Sequence, residues 1–573
     1  MAGLARLAQL IGRRGRMVAG EAERGLSRSA TAGPPVNSVT YIVVGGGSAG
    51  SVVANRLSAD PRNSVALLEA GGNDDYMWIH IPIGYLFTMG NPRTDWCFKT
   101  APQPGLGGVT LNYPRGKVLG GCSSINGMVY QRGNREDYDG WAVENPGWSW
   151  DNVLPVFRSF MDYHLGEQTS ELAAGGEWRV EQQRVSWDVL DRFMAGAVEC
   201  GIPYREHMID SNCEGVGYFK VNQRRGTRLS AYQAFVRNRG VHKRKNLHII
   251  PKAQVKRLDM VGGRVVGLEY YLGRSDHAHY LEAEKEVVLS AGAIGSPHLL
   301  QVSGIGDPQM LEERNVAVQH ELPGVGRNLH DHLQLRPVFQ LKRGTVTLNK
   351  YANSIQGKAM MGLEYLTNRS GPLSAAPSQL CVFAKSDDSI ATPNLQYHVQ
   401  PLSLDRFGEP PHKFPGLTAS VCNLRPTSRG SVELNSADVR VPPAIDPNYL
   451  GTATDRDVAV AAVQHARHLA RAGSFSHFEP VEYTPGADVK KHADILSALP
   501  KIASPIFHPV GTCKMGPASD PTAVVGADLM VHGVEGLRVV DASIMPSITS
   551  GNTASPTMMI AAKASEMILA DLD

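Results

Sequence analysis

From Val39 the chain carries a continuous apolar run, Val39-Thr40-Tyr41-Ile42-Val43-Val44, rich in β-branched residues and too short for a helix of its own. Such a run predicts a strand buried on both faces. It leads into Gly45-Gly46-Gly47-Ser48-Ala49-Gly50, after which Val52, Val53, Ala54 and Leu57 mark a helix packed on a sheet. Asp60-Pro61 closes that helix, and Val65-Ala66-Leu67-Leu68 predicts a second strand ending on Glu69. Together these form a strand-helix-strand unit of about thirty residues, the opening of a Rossmann-type nucleotide domain. Farther on, Val287-Val288-Leu289-Ser290 reads as another buried strand, followed by Ala291-Gly292-Ala293 and a helix expected to start near Ser296-Pro297. Leu537-Arg538-Val539-Val540-Asp541 repeats the strand-then-turn pattern, so the nucleotide domain is discontinuous. Between them, Leu395-Gln396-Tyr397-His398-Val399 and Ser431-Val432-Glu433-Leu434 alternate as half-buried strands do. They point to a second domain built mostly on antiparallel sheet.

Composition narrows the function classes. A chain of 573 residues, 42% apolar and 20% charged, folds and is no small disulfide-stapled module. Lys and Arg total 57 against 55 Asp and Glu, which leaves no general electrostatic footprint for nucleic acid. The seven cysteines are scattered and never spaced C-x-x-C, so neither a disulfide framework nor a zinc knuckle is indicated, and a reducing compartment fits. No apolar run of ~18 residues suggests a membrane span, and only peripheral membrane contact stays open. The first forty residues hold six arginines, no lysine and two glutamates, with Leu4, Leu7, Leu10 and Ile11 at helical spacing. Residues 1–38 therefore resemble a mitochondrial presequence, or else form a basic arm of a cytoplasmic or inner-membrane-peripheral protein, and are excluded from the fold.

Gly45, Gly47 and Gly50 spell G-x-G-x-x-G in the context that motif needs, between a strand and a helix. The first glycine permits the tight turn, the second lets main-chain N–H groups approach a pyrophosphate, and the third lets helix and strand pack closely. Glu69, 24 residues beyond Gly45, is placed to accept hydrogen bonds from a ribose and would repel a 2′-phosphate. A glycine turn without a ligand is the plain alternative. The same residues also satisfy G-x-S-x-G, the elbow of a serine hydrolase with Ser48 as nucleophile. Such an elbow normally follows earlier sheet strands, and here only the basic arm precedes it. The histidine pairs His277/His279, His330/His332 and His465/His468 have ligand-like spacing but no completing Cys or carboxylate set, so no metal is expected. Cys122 and Cys513 read as small packing residues.

Tyr113 to Gly127 is a run of small residues on which a planar ring could lie directly against the main chain, and it contains Gly120, Gly121, Ser123 and Asn126. With it, the chain resembles the glucose-methanol-choline (GMC) family of flavin oxidoreductases. The stretches Gly292 to Gly306, Pro323 to His332, His508 to Gly516, and Val539 to Thr553 are similar to that family's signatures. Within the family, choline dehydrogenase and FAD-dependent alcohol dehydrogenases are similar. The resemblance implies an α/β fold: a Rossmann-like FAD-binding domain of the GMC type and a second, substrate domain on a mostly antiparallel sheet backed by helices. On this reading residues 39–330 bind FAD, with an insertion from the substrate domain around 155–225, residues 331–500 bind substrate, and residues 501–573 complete the FAD domain.

The resemblance further implies FAD, with its ADP part on Gly45, Gly47, Ser48, Gly50 and Glu69. The isoalloxazine is then expected near Gly120, Gly121, Ser123, Asn126, Gly127, Asp541, Ala542 and Asn552. Some members attach FAD through a histidine at the position of Ile125, so noncovalent FAD is expected here. His508 and Asn552 match the catalytic histidine and its partner. The imidazole would take the hydroxyl proton of a primary alcohol, the amide would hold the substrate oxygen, and flavin N5 would accept the hydride. His508 speaks against the photodecarboxylase branch. Members that bind a trimethylammonium group carry Glu where Gln334 stands, which ranks a neutral alcohol ahead of choline and leaves choline dehydrogenase as the alternative. A quinone-like or other non-nicotinamide electron acceptor is expected.

Overall fold

The computed structural model describes residues 37–571 apart from 165, 167–168, 210–213 and 407–408. The arginine-rich segment up to residue 36, and the presequence reading attached to it, lie outside the described residues. The first sheet contains β1 (Ser38–Val44), β2 (Val65–Glu69), β3 (Leu247–Pro251), β4 (Ala253–Val261), β5 (Arg264–Leu272), β6 (Ala278–Leu289) and β7 (Leu537–Val539). Its parallel part runs in the order β3-β2-β1-β6-β7, so strand order reverses between β1 and β6. Open α/β sheets bind ligands in the crevice at that switch point. The first half of β6 instead pairs antiparallel with β5, and β5 with β4.

Helix α1 (Ser48–Leu57) buries Val52, Val53, Ala54 and Leu57 completely, as the apolar pattern predicts. Helix α2 begins at Gly292 and ends at Val302, four residues before the expected start at its near end. Pro297 thus sits inside the helix, where its missing N–H would leave the Ala293 carbonyl unpaired. The hydroxyl of Thr512 donates to that carbonyl at 2.6 Å and removes the penalty. Helix α3 (Ala554–Ala570) is apolar around most of its circumference and packs against α1 in the core of this half.

The second sheet has eight strands, all antiparallel. Its main path runs 481–484, 338–340, 416–423, 395–400, 380–384 and 215–218, with 333–335 and 503–505 continuing from strand 416–423. Leu395–Gln400 is buried on both faces rather than half-buried. Leu395, Tyr397 and Val399 face the core beneath helix Ala453–Ala470, while His398 and Gln400 on the opposite face border a cavity. Ser431–Glu433 is half-buried as its alternation predicts. The mixed α/β architecture, with a Rossmann-like half and an antiparallel half backed by helices, is the expected fold class.

Candidate active site

A cavity of about 680 Å³ lies between the switch point of the first sheet and one face of the second, within the ~300–1,000 Å³ typical of ligand sites. Its wall joins Gly45, Gly47 and Ser48 after β1, Glu69 at the end of β2, and Gly121, Asn126 and Gly127. His508, Asp541, Ala542 and Asn552 complete it from the far end of the chain. Gly50, Gly120 and Ser123 lie behind this wall and shape it. A Cβ on Gly50 would stand 1.9 Å from the Gly45 carbonyl oxygen, so only glycine lets α1 approach β1. Gly120 donates its N–H to Gly46 at 2.7 Å. The Ser123 hydroxyl donates to the Gly120 carbonyl at 2.5 Å and accepts from the Ala231 N–H.

Main chain dominates the glycine end. Gly45 has a φ of +102°, and a Cβ there would meet the Ser290 carbonyl oxygen at 2.5 Å. A Cβ on Gly121 would approach the Gly47 Cα to 2.7 Å, so the two glycine turns touch. Helices α1, α2 and α3 all start at the cavity, with no acidic residue in the first turn and no side-chain cap. The poles of α1 and α3 therefore face one space without a carboxylate on them, while the first N–H of α2 is taken by Asp541, and the two open poles make a field suited to a pyrophosphate and to negative charge on a reduced ring. Glu69 accepts the N–H groups of Gly46 at 2.9 Å and Gly71 at 2.7 Å, while burial pushes its carboxyl up to about 7. Its remaining lone pairs can accept from ribose hydroxyls. Asp541 turns its carboxylate inward to the Gly292 N–H, the Ser296 hydroxyl and both donors of Ser543, tying the turns after β6 and β7 together. These features fit a dinucleotide. The buried Nε2 of His298 and Oδ1 of Asn552, both without a protein partner, leave polar atoms for a bound molecule.

Side chains dominate the other end. Residues 508–510 form an antiparallel bridge with 330, through His330 N–H to the Val510 carbonyl at 3.3 Å and Val510 N–H to the His330 carbonyl at 3.0 Å. Asp331 at that bridge accepts four hydrogen bonds: the N–H of His508 at 2.7 Å, the N–H of His332 at 2.8 Å, and the hydroxyls of Tyr113 at 2.8 Å and Tyr449 at 2.7 Å. Phe507, just before the histidine, has a φ of +69°, and the Arg115 guanidinium holds its carbonyl at 2.6 Å. Strain at such a position persists only where the surroundings overdetermine it. Asn552 follows Gly551, whose φ is +118°, and this turn is anchored by the N–H and hydroxyl of Ser550 on the Asp137 carboxylate.

The hydrogen-bond partners set the tautomers. His332 Nε2 lies 3.2 Å from the Leu424 carbonyl, which can only accept, so the proton is on Nε2 and Nδ1 carries a lone pair. His508 Nδ1, 3.1 Å from that lone pair, is then the protonated nitrogen. Its Nε2, at the cavity wall, accepts from the Asn552 amide at 3.0 Å with its one lone pair. Burial holds His508 well below the usual imidazole range, aided by His332, His398 and Arg115. Burial also lowers His332 to about 4. The arrangement is a neutral imidazole whose acceptor nitrogen meets the Asn552 amide at the cavity, fixed from behind by a second neutral imidazole.

The spacing argument treated His330 and His332 as a pair, but they part: His330 Nδ1 bonds the Asn328 carbonyl at 2.6 Å, while His332 turns to His508. Among the described residues there is no group of three His, Cys, Asp or Glu able to hold a metal. No hydrogen bond joins Ser48 to a histidine among the described residues, so the serine-hydrolase alternative lacks its base. Sequence reasoning also missed His398, Gln400 and Arg115 as wall residues. The alternation along 395–400 was the available signal, because it sets His398 and Gln400 on one face.

The GMC oxidoreductase N-terminal and C-terminal family models match residues 39–334 and 426–561. An alcohol dehydrogenase [acceptor] of Pseudomonas putida is 37% identical over 93% of this chain and 96% of its own. The mitochondrial choline dehydrogenase of Mus musculus is 38% identical over 92% of this chain and 89% of its own. Among solved structures, pyridoxine 4-oxidase from Mesorbium loti has a TM-score of 0.83 and 29% identity, covering 93% of this chain and 99% of its own.

Proposed function

The chain belongs to the GMC oxidoreductase family, and from that premise we propose that it is an FAD-dependent dehydrogenase oxidising a neutral primary alcohol to an aldehyde. The carrying observation is the neutral His508 Nε2, paired with the Asn552 amide at the wall of the same cavity as the glycine turns. An alcohol whose hydroxyl enters between these two groups replaces the amide as the donor to Nε2 and gives it the hydroxyl proton, while the Asn552 amide, released from Nε2, donates to the alcohol oxygen. Bound FAD supplies the acceptor for the hydride that leaves the adjoining carbon. Gly45, Gly47, Ser48, Gly121 and the pole of α1 would hold its pyrophosphate, Glu69 its ribose, and Gly127, Asn126, Ala542 and Asn552 would border the ring. The Ile125 side chain, which lines the cavity, carries no nucleophile and supports noncovalent binding.

The carboxylates on the cavity wall are Glu69 at the nucleotide end and Asp541, whose oxygens are already taken by four donors. Near His508 the wall offers the neutral Gln334, His398 and Gln400 and the cation Arg115, which suit an uncharged alcohol over a quaternary ammonium. Choline oxidation is the second reading, favoured by the similarity to the murine enzyme. Electrons are proposed to leave to a quinone-like carrier. A panel of medium-chain, aromatic and choline alcohols, assayed in parallel with a quinone-analogue dye and with oxygen, tests this. Turnover is expected on neutral alcohols with the dye. Higher kcat/KM for choline, or full turnover with oxygen alone, would overturn the corresponding part.

A further inference from the structure

Helix Ile355–Asn368 has two apolar faces. Gly357, Met361, Gly362 and Tyr365 are buried against the body. On the outward side Ile355, Leu363 and Leu366 are 88%, 65% and 52% exposed, with Met360 at 53%. Ile355, Ala359, Leu363 and Leu366 recur at helical spacing, so the exposure is a continuous stripe rather than scattered side chains. Lys358 lies on the helix, Arg369 at its C-terminal end and Lys350 on the packed helix Leu348–Ala352, against Glu364 as the one carboxylate in residues 348–369. An apolar stripe in a basic frame matches an anionic lipid surface, where leucine-type side chains enter the acyl boundary and cations meet headgroups.

The position of the stripe points the same way. Pro372–Ser374 follows the helix, packs against it, and packs against Pro82–Gly84. Beyond these contacts, Tyr85, Met89 and Pro377 line the cavity. The neighbouring Met77 is 39% exposed, and Trp78, Ile83, Leu86 and Phe87 are half-buried, so apolar surface continues from the helix to the cavity rim. A lipid-soluble alcohol or electron carrier could then pass between bilayer and cavity without crossing water. Among the described residues no helix is long and apolar enough to span a membrane.

We infer that the outward face of Ile355–Asn368 docks the protein peripherally on a bilayer containing anionic lipids. This inference does not rest on the assignment of the reaction. The test is co-sedimentation of the flavin-loaded full chain with vesicles of phosphatidylcholine mixed with phosphatidylglycerol, and with vesicles of phosphatidylcholine alone. Binding is expected to the mixed vesicles, to weaken at high salt, and to fall roughly tenfold in a Leu363→Glu/Leu366→Glu variant. Dye-coupled turnover of a water-soluble alcohol should stay unchanged in that variant. A second variant, Lys350→Gln/Lys358→Gln, leaves the stripe intact and should lose the preference for anionic vesicles. Absence of binding to either vesicle, or binding untouched by both variants, overturns the inference. So does a wild-type dimer by light scattering that the double glutamate variant converts to monomer without any vesicle binding, because the face then belongs to a second copy of the chain.

Discussion

At one end of the cavity, Gly45, Gly47 and Gly121 bring main chain to within contact of main chain, and the open poles of α1 and α3 set the field. At the other, Tyr113, Asp331, His332, Tyr449, His508 and Asn552 arrive from five separate stretches and are held by side-chain hydrogen bonds. The first end is rigid because a Cβ at Gly45, Gly50 or Gly121 would strike main chain, and the second because Asp331, His332 and His508 each hold the next through hydrogen bonds. A single substitution should therefore act differently at the two ends: loss of the ligand at the first, loss of chemistry with the ligand retained at the second.

The largest effect is expected for Gly50→Val. Its Cβ would clash with the Gly45 carbonyl at 1.9 Å, a contact with main chain that cannot move aside. The purified variant should carry no flavin, read by visible absorption. A coloured Gly50→Val protein would show that the glycine turn tolerates side chains and is not the cradle.

At the histidine end, His332→Leu removes the acceptor that fixes the His508 tautomer while keeping side-chain bulk. Flavin content should stay near wild type and kcat should fall on the order of 10–100-fold, below the ~10²–10⁴-fold expected for loss of the base itself. His332→Gln, which can still accept at a similar place, should recover part of that loss. Equal loss in both variants would mean that bulk alone matters at this position.

How much of this was legible in the chain follows the same division. A glycine cradle is built by neighbours in sequence, so strand, turn, helix and Glu69 could be read from periodicity and spacing within about thirty residues. The start of α2 was misplaced because the compensating donor, Thr512, lies more than 200 positions away. His508 and Asn552 emerged only through resemblance to a family. The Asp331 hub and His332 role did not emerge, because hydrogen bonds spanning 118 to 218 positions leave no local pattern. His398 and Gln400 were visible as strand residues, but which face met the cavity depended on where helix 453–470 packs.

A stability measurement sharpens the comparison further. Burial lowers His298 and His332 to about 4 and His330 and His398 to about 3, with His508 shifted the same way. The folded chain keeps these rings neutral where the unfolded chain, with histidine near ~6.5, binds protons. Their contribution is therefore present above about pH 6.5 and is lost as pH falls below it toward the folded values, at about 1 kcal/mol per ring by pH ~5.5. Urea unfolding at the two pH values should show a marked drop. No drop would mean that the rings already accept protons in the folded state.

The smallest effect is expected for Gln334→Glu, which puts a carboxylate on the wall near His508 without changing bulk. The ratio of kcat/KM for choline to that for a neutral alcohol should rise several-fold, through attraction in a partly desolvated site. A ratio that stays put would place the substrate away from residue 334.

The central claim, an imidazole base poised beside a flavin held by glycine turns, is tested most directly by anaerobic rapid mixing of the flavin-loaded protein with an alcohol. Bleaching of the flavin band would be followed for wild type and for His508→Ala. The account predicts equal colour at rest in both proteins and bleaching slowed by at least about 10²-fold in the variant. Bleaching at the wild-type rate in His508→Ala would contradict it.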